Sequence, residues 1–121
     1  MKKIIFALFL LALFLGGCVA PQKYNWGKYE ASMYSYYKNP TKLDEYAGSL
    51  DEIIKSSESG NKKVPPGIYA EYGYLQLQAG RNQEAIKLFE LEEKNWPESK
   101  VFMERIIKTI PSSSTVLQES K

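Results

Sequence analysis

The sequence predicts an all-α protein of about five helices, arranged as antiparallel helix pairs behind an exported N-terminus. Apolar residues recur every three or four positions between residues 26 and 110, which is the period of an α-helix. Prolines and glycines interrupt that pattern at intervals that fit short connections between helices. No segment combines sustained alternation of apolar and polar residues with hairpin turn residues, so we expect no β-sheet.

Residues 1–17 have the parts of an export signal. Lys2 and Lys3 precede an apolar run over residues 4–15, which is shorter than the roughly 20 residues that a membrane-spanning helix needs. Signal peptidases accept small residues before the bond they cut, and Gly16 and Gly17 provide them. We therefore expect cleavage between Gly17 and Cys18.

The stretch Leu15-Gly16-Gly17-Cys18 resembles the bacterial lipobox. The resemblance implies that Cys18 carries acyl chains such as palmitate on its sulfur and, after cleavage, on its amino group. The alternative is a secreted protein with a stray cysteine, but a free thiol is a liability in an oxidising compartment. Several acyl chains suffice for stable anchoring, which makes residues 18–25 a lipidated tether. Since Val19 is not aspartate, resemblance to enterobacterial sorting implies the periplasmic face of the outer membrane; because that rule varies among bacteria, the inner membrane stays open.

Composition argues against most catalytic and nucleic-acid functions. The chain has no histidine, which excludes imidazole bases and histidine metal sites, and its single cysteine excludes an internal disulfide and thiolate clusters. Once Lys2 and Lys3 are removed, the basic residues only balance the 14 acidic ones, so no basic stripe for nucleic acid remains. We expect a non-enzyme with no catalytic residue, no metal and no cofactor beyond the covalent lipid.

The helical domain is predicted over residues 26–110, and its first pair of helices lies before residue 60. The first helix spans residues 26–38 and ends at Asn39-Pro40, because the residue before proline avoids the α region. Asn39 or Thr41 caps the second helix, with Pro40 in the first turn. Its apolar stripe comprises Leu43, Tyr46, Ala47, Leu50, Ile53 and Ile54.

Three more helices follow the turn-rich residues 56–67. The third spans residues 66–79, with Gly80 just past its end and an apolar face of Ile68, Tyr69, Tyr72, Leu75 and Ala79. Asn82 caps the fourth helix and Pro97 closes it, with a core set of Ala85, Ile86, Phe89 and Trp96. The fifth spans residues 98–110 and places Phe102, Ile106 and Ile110 in one register. Residues 111–121 are predicted to be a disordered tail.

Residues 66–97 resemble a tetratricopeptide repeat, which pairs two helices within about 34 residues. The agreement comprises Gly73, Gly80, Ala85, Phe89 and Pro97, and the departures are Tyr69, Gln76 and Glu92. Residues 26–57 then form a degenerate repeat and the fifth helix a solvating cap. Because isolated arrays usually need three repeats, a partner surface or a compact closure should compensate.

Among the tyrosines, Tyr34 and Tyr74 lie off the core stripes of their helices and are the candidate interface residues. Tyr29, Tyr69 and Tyr72 are instead expected to bury their rings between helices. Adjacent carboxylates diverge by about 100° on a helix and cannot face one substrate, so we expect the acidic pairs to be solvated: Asp44/Glu45, Asp51/Glu52 and Glu92/Glu93.

Beyond these elements, the lipobox, "YNWGKYE" and "PPGIYAEYGYLQLQAG" resemble an uncharacterised family of small bacterial lipoproteins with tetratricopeptide-like helices. Genes of that family lie beside genes for lipoproteins that resemble CsgG, the curli secretion channel. The resemblance implies an interaction accessory that docks a CsgG-like lipoprotein at the outer membrane. The alternative is a chaperone-like periplasmic protein that holds peptides or cell-wall material in a tyrosine-lined groove.

Overall fold

The computed structural model describes Met1 and residues 22–111; Gly17, Cys18 and the predicted tail beyond Pro111 lie outside this part. It contains five α-helices: α1 (Tyr29–Lys38), α2 (Leu43–Ser59), α3 (Ile68–Gln78), α4 (Asn82–Asn95) and α5 (Lys100–Thr109). Short 3-10 turns at Pro40–Lys42 and Pro97–Ser99 precede α2 and α5. With no β-strand among the described residues, the predicted all-α class with about five helices is confirmed. None of these helices is long and apolar enough to cross a bilayer.

Two glycines shorten helices relative to the predicted bounds. α1 begins at Tyr29 rather than Trp26 because Gly27 has a φ of +47°, outside the helical region. α3 begins at Ile68 because Gly67 has a φ of +87°. Asn39 caps the 3-10 turn before α2 rather than α2 itself: its side-chain oxygen accepts from the Thr41 N–H at 3.1 Å, while Lys42 occupies the N-cap position of α2.

Neighbouring helices are antiparallel, because contacts between them run in opposite order along the chain. Asn25 bonds Ser56 at 2.9 Å and Ser32 bonds Ser49 at 2.6 Å, which pairs the start of α1 with the end of α2. The Gly67 N–H meets Glu92, whereas Gly73 lies against Phe89 of α4. Consequently residues 22–28, 60–67 and 95–99 share one end of the bundle, which we call the N-proximal end.

The core consists of two clusters, one on each side of α3. The larger lies between α2, α3 and α4 and includes Tyr46, Leu50, Ile53, Ile68 and Tyr69. The smaller lies between α4 and α5 and contains Ala85, Phe89, Met103 and Ile110. A Cβ on Gly73 would lie 2.9 Å from the Phe89 ring, so the close approach of α3 to α4 requires glycine there.

The predicted register of α5 is wrong for Phe102. This side chain is 64% exposed, whereas its neighbour Met103 is 2% exposed and packs inward with Ile106, Ile107 and Ile110. α5 packs against α4 with Met103 in the cluster that contains Ala85 and Phe89, so this tertiary contact decides which of the two neighbours is buried. Ala79 is also exposed, because α3 ends one residue before it.

Candidate functional site

A carboxylate with two phenol donors joins the first three helices. Glu71 in the first turn of α3 accepts hydrogen bonds from the Tyr29 hydroxyl at 2.8 Å and from the Tyr46 hydroxyl. Tyr46 is 2% exposed, whereas Tyr29 and Glu71 are half-buried. One acidic side chain of α3 thus fixes one tyrosine of α1 and one of α2.

The rings around this carboxylate form a continuous series from the core to the surface. Tyr36 stacks on Tyr46 with ring centroids 5.3 Å apart, Tyr29 lies 6.4 Å from Tyr46, and Trp26 lies 5.6 Å from Tyr29. Tyr29 and Tyr36 are seven residues apart, so they share the face of α1 that meets α2. We call Trp26, Tyr29, Tyr36, Tyr46 and Glu71 the aromatic–carboxylate cluster.

The cluster keeps its phenols neutral. Burial raises the pKa of the Tyr46 and Tyr29 hydroxyls above their ordinary value, and the hydrogen bonds to Glu71 raise it further. Both hydroxyls therefore act as donors at neutral pH, and their spare lone pairs can accept. The hydrogen bonds to Glu71 orient the rings of Tyr29 and Tyr46, and neither of these two phenols is activated as a nucleophile.

The exposed side of α1 carries large side chains that no other described helix covers. Met33 is 40% exposed, Tyr34 61% and Tyr37 80%, and Trp26 at the preceding turn is 36% exposed. Successive residues of a helix are rotated by about 100°, so Met33 and Tyr37 lie together beside the buried face of α1 and Tyr34 lies on the opposite side. Lys38 Nζ lies 5.5 Å from the centre of the Tyr34 ring. We call these four residues the exposed α1 surface.

Tyr74 of α3 is 53% exposed, so both predicted interface tyrosines are accessible, although their role as an interface stays a prediction. Sequence reasoning missed Met33 and Tyr37, because both fit the helical period of the core stripe. It also missed Glu71: nothing in the local pattern distinguishes this residue from a solvated glutamate.

A second buried carboxylate corrects a prediction. Glu92 was expected at the surface but is 1% exposed, and its Oε1 accepts from the Gly67 N–H at 2.8 Å, at the first turn of α3. Its Oε2 has no hydrogen-bond partner among the described residues. Burial raises the pKa of Glu92, against the backbone N–H groups of Gly67 and Ala70, which lower it. Glu92 thus caps α3 from α4 in place of the small residue of the repeat pattern.

At the N-proximal end, aromatic contacts hold the last residues of the predicted tether against the bundle. Tyr24 packs edge-on against Trp96, with centroids 5.7 Å apart, and Lys63 Nζ stands 3.7 Å from the centre of the Trp96 ring. This pairing fixes where residues 22–28 leave the bundle. Within the described residues, no group of histidine, cysteine or acidic side chains is arranged to hold a metal ion.

Fold and site together define a small all-α protein in which one half-buried and one buried carboxylate join antiparallel helices and the first helix displays aromatic side chains. The chain belongs to the family described as Domain of unknown function (DUF4810), whose model matches residues 23–106. The match therefore covers α1 to α4 and most of α5. No curated protein and no solved structure matches the chain significantly.

Proposed function

We propose that this protein is a lipoprotein anchored through Cys18 at the periplasmic face of the outer membrane, where it acts as a protein–protein interaction accessory. The anchor is supported by the lipobox at residues 15–18. The observation that carries the interaction role is the exposed α1 surface, which begins eight residues after Cys18.

The composition of this surface supports a protein partner. Tyrosine, tryptophan and methionine are enriched at protein interfaces relative to the rest of the surface, and all three occur here. In arrays of helix pairs, a terminal helix normally has a polar outer face, which keeps the array soluble. α1 is the first helix of the bundle and departs from that rule at Met33, Tyr34 and Tyr37. A docked partner covers these side chains and supplies the packing that a third repeat would give.

The proposed partner is a channel-forming lipoprotein of the CsgG type. It is suggested by the resemblance carried by the lipobox, "YNWGKYE" and "PPGIYAEYGYLQLQAG". Both proteins would then be held on one membrane face, which raises their effective concentration for each other.

The experiment is co-purification from detergent-solubilised membranes. We expect the wild-type protein to retain a stoichiometric CsgG-like lipoprotein and the double variant Tyr34→Ala/Tyr37→Ala to lose it. Phe102→Ala is the matched control, because Phe102 on α5 is as exposed as Tyr34. A complex that survives the double variant, or a wild-type protein that purifies alone, would contradict the proposal.

A chaperone-like role is the second candidate, and the aromatic–carboxylate cluster is the observation that favours it. Its half-exposed rings at Trp26, Tyr29 and Tyr36 offer stacking faces, and the phenol oxygens offer acceptors to a peptide or a cell-wall fragment. A monomer that binds extended peptides or peptidoglycan fragments, with binding reduced by Tyr74→Ala on the adjacent α3, would favour this role over docking.

A further inference from the structure

We propose that the N-proximal end of the bundle is a membrane-facing surface that binds anionic lipid headgroups through Lys23, Lys62 and Lys63. The inference rests on the proposed lipidation of Cys18 and adds to it an orientation and a lipid preference.

Residues 22–28, which come soon after Cys18 in the chain, enter the bundle at the N-proximal end and are held there by contacts. Tyr24 packs on Trp96, Asn25 donates to the Ser56 hydroxyl at 2.9 Å, and Gly27 lies against Ile53 of α2. Four residue steps separate Cys18 from Gln22, and they reach at most about 14 Å when fully extended. Acyl chains on Cys18 would therefore hold this end near the headgroups. α2 alone is about 25 Å long, so the opposite end stands well clear of them.

Three lysines at the N-proximal end have positive charges that are unpaired within the described residues. Lys63 Nζ lies over the Trp96 ring and Lys23 Nζ stands 5.3 Å from the Tyr24 ring, while Lys62 is exposed beside Lys63. Aromatic faces position two of these ammonium groups without neutralising them. None of the three forms an ion pair with any carboxylate in the described part of the chain.

The carboxylates nearby do not cancel these lysines. Glu93 pairs with Lys100 at 3.2 Å, whereas Glu58, which accepts a hydrogen bond from the Tyr69 hydroxyl at 2.8 Å, keeps its negative charge just before this end. The N-proximal end, as defined by residues 22–28, 60–67 and 95–99, contains four lysines but only one carboxylate, Glu98. Phosphate groups of anionic lipids complement the surplus of positive charge, and the short tether favours a bilayer over a protein as the occupant. In this orientation Met33, Tyr34 and Tyr37 of the exposed α1 surface face sideways and stay accessible to a partner, whereas Trp26 lies at the membrane-facing end.

The test is lysine footprinting of the full-length mature protein, isolated with its native modification and reconstituted in vesicles. One set of vesicles contains phosphatidylcholine alone, and the other mixes it with phosphatidylglycerol. For each lysine, the attraction of an anionic membrane surface favours the position near the headgroups about fivefold over the position in water. We expect acetylation of Lys23, Lys62 and Lys63 to slow about fivefold with phosphatidylglycerol and to recover at high salt. Lys42 and Lys108 at the opposite end are the internal controls and should not change.

The variant Lys62→Gln/Lys63→Gln extends the test. Removing two of the three cations should abolish the protection of Lys23 by phosphatidylglycerol, whereas Lys42→Gln should leave it intact. Acylated protein whose lysines react at equal rates in both kinds of vesicle overturns this inference alone. A mature chain with an unmodified Cys18 overturns the proposed anchor and this inference with it, and an intact-mass measurement of the same sample distinguishes the two failures.

Discussion

Glu71→Gln should destabilise the fold far more than an ordinary surface substitution. The glutamine keeps one carbonyl oxygen for one phenol but presents an N–H₂ group to the other. Since Tyr46 is 2% exposed, its hydroxyl cannot turn to water instead. A hydrogen bond to a charged group contributes about 1.5–3 kcal/mol. Because Glu71 is half-buried, we expect about 2 kcal/mol, which for a domain of this size lowers Tm by about 8–16 °C.

The assay is urea and thermal unfolding of the mature protein, followed by far-ultraviolet circular dichroism, in a double-mutant cycle with Tyr46→Phe. If the phenol and the carboxylate act through one another, the double variant loses less stability than the sum of the single variants, by about 1 kcal/mol. Glu45→Gln is the matched control: Glu45 pairs with Lys42 at 3.4 Å on the exposed side of α2, so its loss should stay within about 0.5 kcal/mol. Additive single effects, or equal losses for Glu71→Gln and Glu45→Gln, would refute the reasoning.

Three further predictions concern packing and pH. Gly73→Ala should destabilise the fold by about 1–3 kcal/mol, because the added Cβ would lie 2.9 Å from Phe89. Gly48→Ala has open space around the added Cβ and should stabilise α2 by about 0.5–1 kcal/mol. The midpoints of urea unfolding compare the two variants. Burial raises the pKa of Glu92 in the folded state above its ordinary value of 4.5, so folding favours the protonated carboxyl and stability falls as the pH rises through the folded pKa. Glu92→Gln should therefore be more stable than wild type at neutral pH, and the difference should vanish near pH 4. A larger advantage of Glu92→Gln in acid would contradict this. The raised pKa values of Tyr29 and Tyr46 predict that stability falls as pH rises above 10, and a urea midpoint in Tyr46→Phe that falls as steeply as wild type would exclude Tyr46 as a source.

The sequence predicts most of the helical framework because the residues that end its helices act locally. Asn39-Pro40, Gly80 and Pro97 act through backbone conformations that neighbouring residues already determine, and the helices end near them. Gly73 is predicted in another way: a small residue is expected at its position in the repeat pattern.

The errors arise where a distant contact decides. Phe102 and Met103 are apolar neighbours on α5, and only the packing of α5 against α4 decides that Met103 is the buried one. Glu71 and Glu92 are indistinguishable in sequence from solvated glutamates, yet each meets donors from another helix. Buried carboxylates depend on tertiary partners, so the candidate site could not be assembled from periodicity alone.

The most direct test of the account is the intact mass of the mature chain purified from bacterial membranes. We predict a chain that begins at Cys18, without residues 1–17, and is heavier by a diacylglyceryl group and one further acyl chain. A chain that retains its first 17 residues, or one with a free Cys18 thiol, would contradict the proposal that this protein works from a membrane surface.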